Sequence, residues 1–439
     1  LNVSQVGMPG RNTVQRGAGT IDFSDGCLVA AVAIAIFWAI DPFGLQLWRS
    51  FSTRHIPLLV AIASVCLGAA GRFLYRPDAL QELASAFRTY LALSLLAGFI
   101  IAGSLYARIA LDNDNTFITI GVFILLGGPV NLWIISTSHA PLTMIRCITV
   151  VFVGISFLGV ICAGIQPGGL VYHSSEHIVL VAVAFPLLLG RRIAFRAIGA
   201  LLVIIGTAAP NKLTGIIVML AIFGWVYLDE LMLWAAKDRD RLRAGLQVCL
   251  GIMAALLLAL ALLFVYQLTK SSLADGNAVF RMHNYELVFS RFLDSWIWGR
   301  AFTGPSVDYF DAFVVNTSTQ YLPTHSDPLD ILANGGLLAG VPFVLGLLSI
   351  VLVGWKALSA GRGLDNVRHG DLRPQLAMYF LVVVTGVLVM SFNPVLNQAS
   401  LAYGYWTASA IVYALAALMK RNNSATELLA GALQRRARV

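Results

Sequence analysis

Apolar residues fall along this chain in long uninterrupted runs rather than in the alternation of a half-buried sheet. A helix needs about 20 such residues to cross the hydrocarbon core of a bilayer. Runs approaching that length are centred near positions 35, 65, 98, 126, 154, 183, 201, 222, 256, 343, 384 and 410. The runs over 178–190 and 193–209 are split only by Gly190-Arg191-Arg192, so they form either a tight helical hairpin or one long broken element. Most connections are short. The exception is a polar interval from roughly Lys270 to Asn334, and loops of such length in a compact protein are usually functional. The pattern predicts an all-α polytopic membrane protein of about twelve transmembrane helices, with one large helical loop between spans nine and ten. The expected segments are an N-terminal stretch 1–26, spans over 27–267, the outward loop 268–334, spans over 335–419 and a basic tail 420–439.

Composition agrees, with 58% hydrophobic and 12% charged residues, whereas a soluble domain carries about a quarter charged. The first apolar run follows some two dozen mostly polar residues and has no clear small-residue exit site, so it reads as a span rather than a cleaved leader. The formal charge of +8 is dispersed between apolar runs, which argues for orientation in a bilayer and against nucleic acid. With the N-terminus cytoplasmic and an even number of spans, 22 of the 30 Lys and Arg fall on the inner side and 8 outside. That asymmetry places both termini in the cytoplasm and turns the polar interval outward, to the periplasm of a bacterium. The basic tail then rests on the anionic inner leaflet or simply anchors the topology. All five cysteines lie in or beside apolar runs, as small buried residues do.

Within the polar interval, residues 278–292 have a helical pattern: Phe280, Leu287, Val288 and Phe292 are offset from Arg281, Asn284 and Glu286. Arg281 and Asn284, three apart, share a face. Trp296, Trp298 and Phe302 follow, as aromatics expected at the membrane interface. Asp327 suits an N-cap, with Pro328 at the first helical position and Asp330 in the first turn. His325 therefore stands just before a spanning helix.

A histidine there is either polar surface or a base, since its ordinary pKa near 6.5 leaves it neutral at neutral pH. The helix N-terminus favours the neutral form, and Asp327 and Asp330 oppose it. Arg281 and the outward Lys212 suggest an anion; together they suit a lipid-linked diphosphate, although Lys212 also reads as a snorkelling lysine. Three weaker patterns carry less. His173-Ser174-Ser175-Glu176-His177 spells one zinc-peptidase order without an obvious third ligand. Asp112-Asn113-Asp114 reads as turn residues. The stretch Gly206 to Thr214 lacks the second glycine and the Ser/Thr of a phosphate loop. No metal, nucleotide or other cofactor is expected. A transporter is a different-class reading, but it would place ionisable residues near the midplane, and these runs mostly keep their charges at the ends.

The loop's end, His325-Ser326-Asp327-Pro328-Leu329-Asp330-Ile331-Leu332-Ala333-Asn334-Gly335-Gly336-Leu337-Leu338-Ala339-Gly340, resembles the signature of the O-antigen ligases (WaaL-type), shared with O-antigen polymerases and protein O-oligosaccharyltransferases. Ser326 replaces the family's usual Asn, and Asn334 stands where an acid is common. Asn211-Lys212 is similar in position to the family's outward Ser-Arg, and Arg281 to its loop arginine. The resemblance implies transfer of a glycan from undecaprenyl diphosphate to a sugar hydroxyl of lipid A–core, inverting and metal-independent, at the periplasmic face of the inner membrane. His325 would be the base, and Arg281 and Lys212 would hold the diphosphate. Asn284 and Asp327 are candidate supporting residues, joined by Arg191 if the 190–192 break faces outward. A polymerase or protein glycosylase would reuse the same chemistry with another acceptor.

Overall fold

The structure, a computed structural model, describes residues 21–43, 51–76, 79–112, 117–165, 175–189, 193–210, 213–235, 285–286, 288–303, 326–360, 372–391, 393, 395–396 and 398–436. Among these there is helix and no strand, because apolar segments in a bilayer must satisfy their backbone groups internally. The helices are α1 Phe23–Ile40, α2 Phe51–Tyr75, α3 Ala79–Thr89, α4 Leu91–Ala110, α5 Phe117–Leu125, α6 Asn131–Thr137 and α7 Pro141–Ile165. They continue as α8 Glu176–Val183, α9 Phe185–Leu188, α10 Ile193–Ala208, α11 Leu213–Ala235, α12 Asp327–Ala360, α13 Leu372–Met390 and α14 Ala399–Arg436.

Eight spans among the described residues are long and apolar enough to cross a membrane, counting α5 to α6 as one, and Leu59–Tyr75 and Ile193–Ala208 are shorter apolar helices. The run centred near 256 lies outside the described residues. The ambiguity around 190–192 resolves as a hairpin: α10 packs back on α8 and α9. Gly199 makes the closeness possible, since a Cβ there would lie 2.5 Å from the Leu187 nitrogen.

The core lies where helices are apolar on every side. Every residue of α8 is buried, as are most of α13 and the first part of α14. Several polar groups in that core are paired with one another, which offsets the cost of burying them in so apolar a setting. Asn131 donates to the Tyr403 hydroxyl at 3.0 Å and to Thr407 at 2.9 Å. Tyr90 pairs with Ser409 at 2.7 Å, Tyr413 with Ser349 at 2.8 Å and Thr149 with Tyr379 at 3.0 Å. A π-turn at Leu126–Val130 contains Pro129, whose missing N–H loosens the ladder and carries the chain from α5 into Asn131.

The two ends of α14 mark the two ends of the bundle. Ala399 to Arg421 rises roughly 33 Å at 1.5 Å per residue, about the thickness of a hydrocarbon core. The Ala399 end adjoins Asp327. At the other end Arg72, only 2% exposed, bridges Asp22 and Asp25 at 2.5 Å each, and Ser138 donates to Asp25 at 2.7 Å. Arg76 donates to the Thr137 carbonyl at 2.6 Å. Arg72 thus serves as a buried cross-link between α1 and α2 as well as an end charge.

Candidate functional site

Asp327 is where the expected site meets the described structure. Asp330 N–H bonds back to the Ser326 carbonyl at 3.0 Å, so the first turn of α12 closes on Ser326, one residue before the expected cap. The Asp327 carboxylate is buried and reaches across the bundle. It accepts from the backbone N–H of Val395 at 2.7 Å and of Leu396 at 2.8 Å. These amides belong to the short turn between α13 and α14. A carboxylate taking two N–H groups makes charge-assisted bonds of the stronger kind. The residue two positions after His325 is thereby fixed to the turn that leads into the last spanning helix.

Immediately beyond, α12 breaks. Gly336 has φ 56° and ψ −154°, a conformation open essentially to glycine alone. The break divides α12 into a short helix ending at Asn334 and a long one starting at Leu337. A helix interrupted inside a membrane protein leaves orphan amides and carbonyls that something must satisfy. The last part of the polar interval does so from both sides. Arg300 and Phe302 donate their N–H groups to the Asn334 carbonyl at 3.0 and 2.9 Å. In return, Leu337 and Leu338 donate to the carbonyls of Trp296 and Ile297 at 2.8 and 3.1 Å. The Asn334 side-chain amide donates to the Asp330 carbonyl at 2.9 Å and closes the short helix.

Close approach of two backbones demands small residues at the crossing. A Cβ on Gly299, itself at φ 56°, would lie 2.7 Å from the Ala333 oxygen, and one on Gly336 would overlap the Ile297 carbonyl. Ala301 and Phe302 also hold positive φ, at 50° and 58°. Such a conformation costs about 1–2 kcal/mol for an L-residue and persists only where packing enforces it. The enforcement is visible. Phe302 is fully buried, edge-on to Phe99 at 5.5 Å and to Phe117 at 5.4 Å. It is therefore a plug between α4 and α5 rather than an interfacial aromatic. Trp296 and Trp298, at 54% and 58% exposed, keep the expected outward character.

Of the expected site residues, only Asp327 is described. His325, Arg281, Lys212, Asn284 and Arg191 lie outside the described residues, as does most of the helix expected over 278–292. The part that is described, 285–286 and 288–294, is helical. His173 is also outside, while Glu176 and His177 are buried at the start of α8, with the His177 ring 6.4 Å from that of Tyr405. No group of three possible metal ligands gathers among the described residues. The Asn334 carbonyl and Gly299 are positions that sequence reasoning left without a role, and Phe302 is one that it placed at the interface. An isolated glycine three residues before the end of an aromatic cluster is a faint signal, legible only with the partner glycine at 336.

The O-antigen ligase family model (Wzy_C) matches residues 195–344. That stretch runs from α10 through the polar interval to the broken helix, and so includes Lys212, Arg281, His325, Asp327 and Gly336. None of the curated proteins compared matches the chain. Laid over the loop and the helix it clamps, this match to about a third of the chain supports membership of the O-antigen ligase/polymerase superfamily.

Proposed function

We propose that this protein is an O-antigen ligase, transferring a glycan from undecaprenyl diphosphate to a sugar hydroxyl of lipid A–core at the periplasmic face of the bacterial inner membrane. The family match supports lipopolysaccharide-related ligase or polymerase chemistry in general. The observation that carries the finer reading is that the match covers the interval holding His325, Arg281 and Lys212, whose end is clamped to the spanning bundle through Asp327 and the broken helix.

In this reading His325 takes the proton of the acceptor hydroxyl as its oxygen attacks the anomeric carbon. The new glycosidic bond forms on the face opposite the leaving oxygen, so configuration inverts. The bond to the lipid diphosphate breaks, and Arg281 and Lys212 stabilise the charge that develops there. A diphosphate leaves readily once its charge is met, so one base and preplaced cations supply the required chemistry. Asn284, Asp327 and, should its turn face outward, Arg191 support the arrangement. Both substrates are lipids and meet at the outer leaflet.

The test is reconstitution of the purified chain in proteoliposomes with an undecaprenyl-diphosphate glycan and three competing acceptors: lipid A–core, a second lipid-linked glycan and an acceptor protein. Product on lipid A–core supports the ligase. Product on the lipid-linked glycan alone makes it a polymerase, and product on protein a protein O-oligosaccharyltransferase. Absence of transfer to all three overturns the reading.

A further inference from the structure

The end of the bundle away from Asp327 carries a cavity of about 410 Å³ between α3, α6, the start of α7 and α14, within the range of small-molecule sites. Its polar wall holds Arg76, His139 and Arg421 with the hydroxyls of Thr89 and Ser136, against the single carboxylate of Glu82. Its other wall is apolar, formed by Leu132, Ile135 and Leu418. Arg76 is held in place by its bond to the Thr137 carbonyl and by Glu82 4.0 Å away. Ser138, also in the wall, accepts from Ala140 N–H at 3.0 Å, bending the chain into α7. That helix begins at Pro141 and runs for 25 residues, so its positive end adds to the field at the cavity.

We propose that this cavity binds the phosphate of an anionic phospholipid in the leaflet opposite the Asp327 end. Two guanidiniums, an imidazole and a helix N-terminus facing one carboxylate give a site of net positive potential. Arginine forks match phosphate oxygens. The apolar wall suits a headgroup that continues into glycerol and acyl chain, as in basic pockets between transmembrane helices. A free anion would leave Leu132, Ile135 and Leu418 without a partner. This lipid is distinct from both substrates of the proposed reaction, which meet some 33 Å away by the rise of α14. The site would couple the stability of the bundle to the charge of the membrane.

The experiment is binding to the full chain in neutral detergent, titrated with phosphatidylglycerol, phosphatidylcholine or inorganic phosphate, and read by native mass spectrometry and by the thermal midpoint. Phosphatidylglycerol should bind saturably and raise the midpoint, with phosphatidylcholine at least about tenfold weaker. Arg421→Gln and His139→Gln should each weaken phosphatidylglycerol by about tenfold, as loss of a charge-assisted contact does. Arg146→Gln, an exposed cation on α7 outside the cavity, should leave it unchanged. Equal weakening by Arg146→Gln would mean general surface attraction and overturn the proposal. So would inorganic phosphate binding as tightly as the lipid, which would make the ligand a soluble anion, or unaltered lipid binding in both cavity variants.

Discussion

The two ends of this bundle are built by different means. At the Arg72 end, α1 and α2 are tied by side-chain charges: one guanidinium between Asp22 and Asp25, with Ser138 completing the cluster. At the Asp327 end the ties are made largely by the backbone. Four main-chain bonds join 296–302 to the two halves of α12, and the one carboxylate involved takes main-chain N–H groups. Charge clusters depend on the identity of each side chain. A backbone frame depends only on the few residues that let two chains touch. Such a frame keeps its shape when the side chains it presents change, which suits a site where Ser326 and Asn334 depart from the family's pattern. In the proposed reaction, an end that holds lipid substrates gains from that independence.

Breaking the charge cluster should give the largest loss of stability. Arg72→Met strands two carboxylates, one fully buried, and should cost about 3–5 kcal/mol, the usual cost of leaving a buried charge without its partner. Thermal unfolding in detergent checks this, and the fraction that remains folded should keep its transfer rate per molecule. Gly336→Ala attacks the opposite end. Backbone strain and overlap with Ile297 together should cost roughly 2–4 kcal/mol. Here activity should fall faster than stability, because the loop must lift off the broken helix; increased proteolytic cutting near Trp298 would report that lifting. Asp327→Asn should cost about 1.5–3 kcal/mol, since a neutral amide replaces a charged acceptor of two N–H bonds. Phe302→Leu should cost about 1–2 kcal/mol through incomplete filling between Phe99 and Phe117. If Phe302→Leu proved as damaging as Gly336→Ala, side-chain packing rather than backbone bonding would be the main tie, and the contrast between the ends would weaken.

The eight spans among the described residues were legible because twenty apolar residues have few other uses. The packing of α10 against α8 and α9 was not, because three residues between them can either bend or continue a chain and only Gly199 against Leu187 decides. Asp327 was read as a local cap, and that reading was natural, since an Asp-Pro pair before an apolar run supplies what a helix start needs. Its reach to Val395 and Leu396 is a contact across 68 and 69 positions, which no local pattern contains. Phe302 looked interfacial for the same reason: sequence shows an aromatic cluster near a boundary and not which member turns inward. The Asp22–Asp25–Arg72 cluster escaped notice because the charge count took only the arginine, as an end charge, and left the two acids aside. The family likeness of 325–340 was legible in its spacing of histidine, leucines and glycines, and the structure adds why a glycine stands at 336.

The central claim, that His325 is the base of a glycan transfer, is tested most directly by single-turnover transfer to lipid A–core in proteoliposomes containing His325→Ala, with donor binding measured in the same preparation. The account predicts a rate lower by about 10²–10⁴-fold, the usual contribution of a positioned base, with donor affinity retained because Arg281 and Lys212 remain. A near-wild-type rate in a folded His325→Ala protein would contradict it.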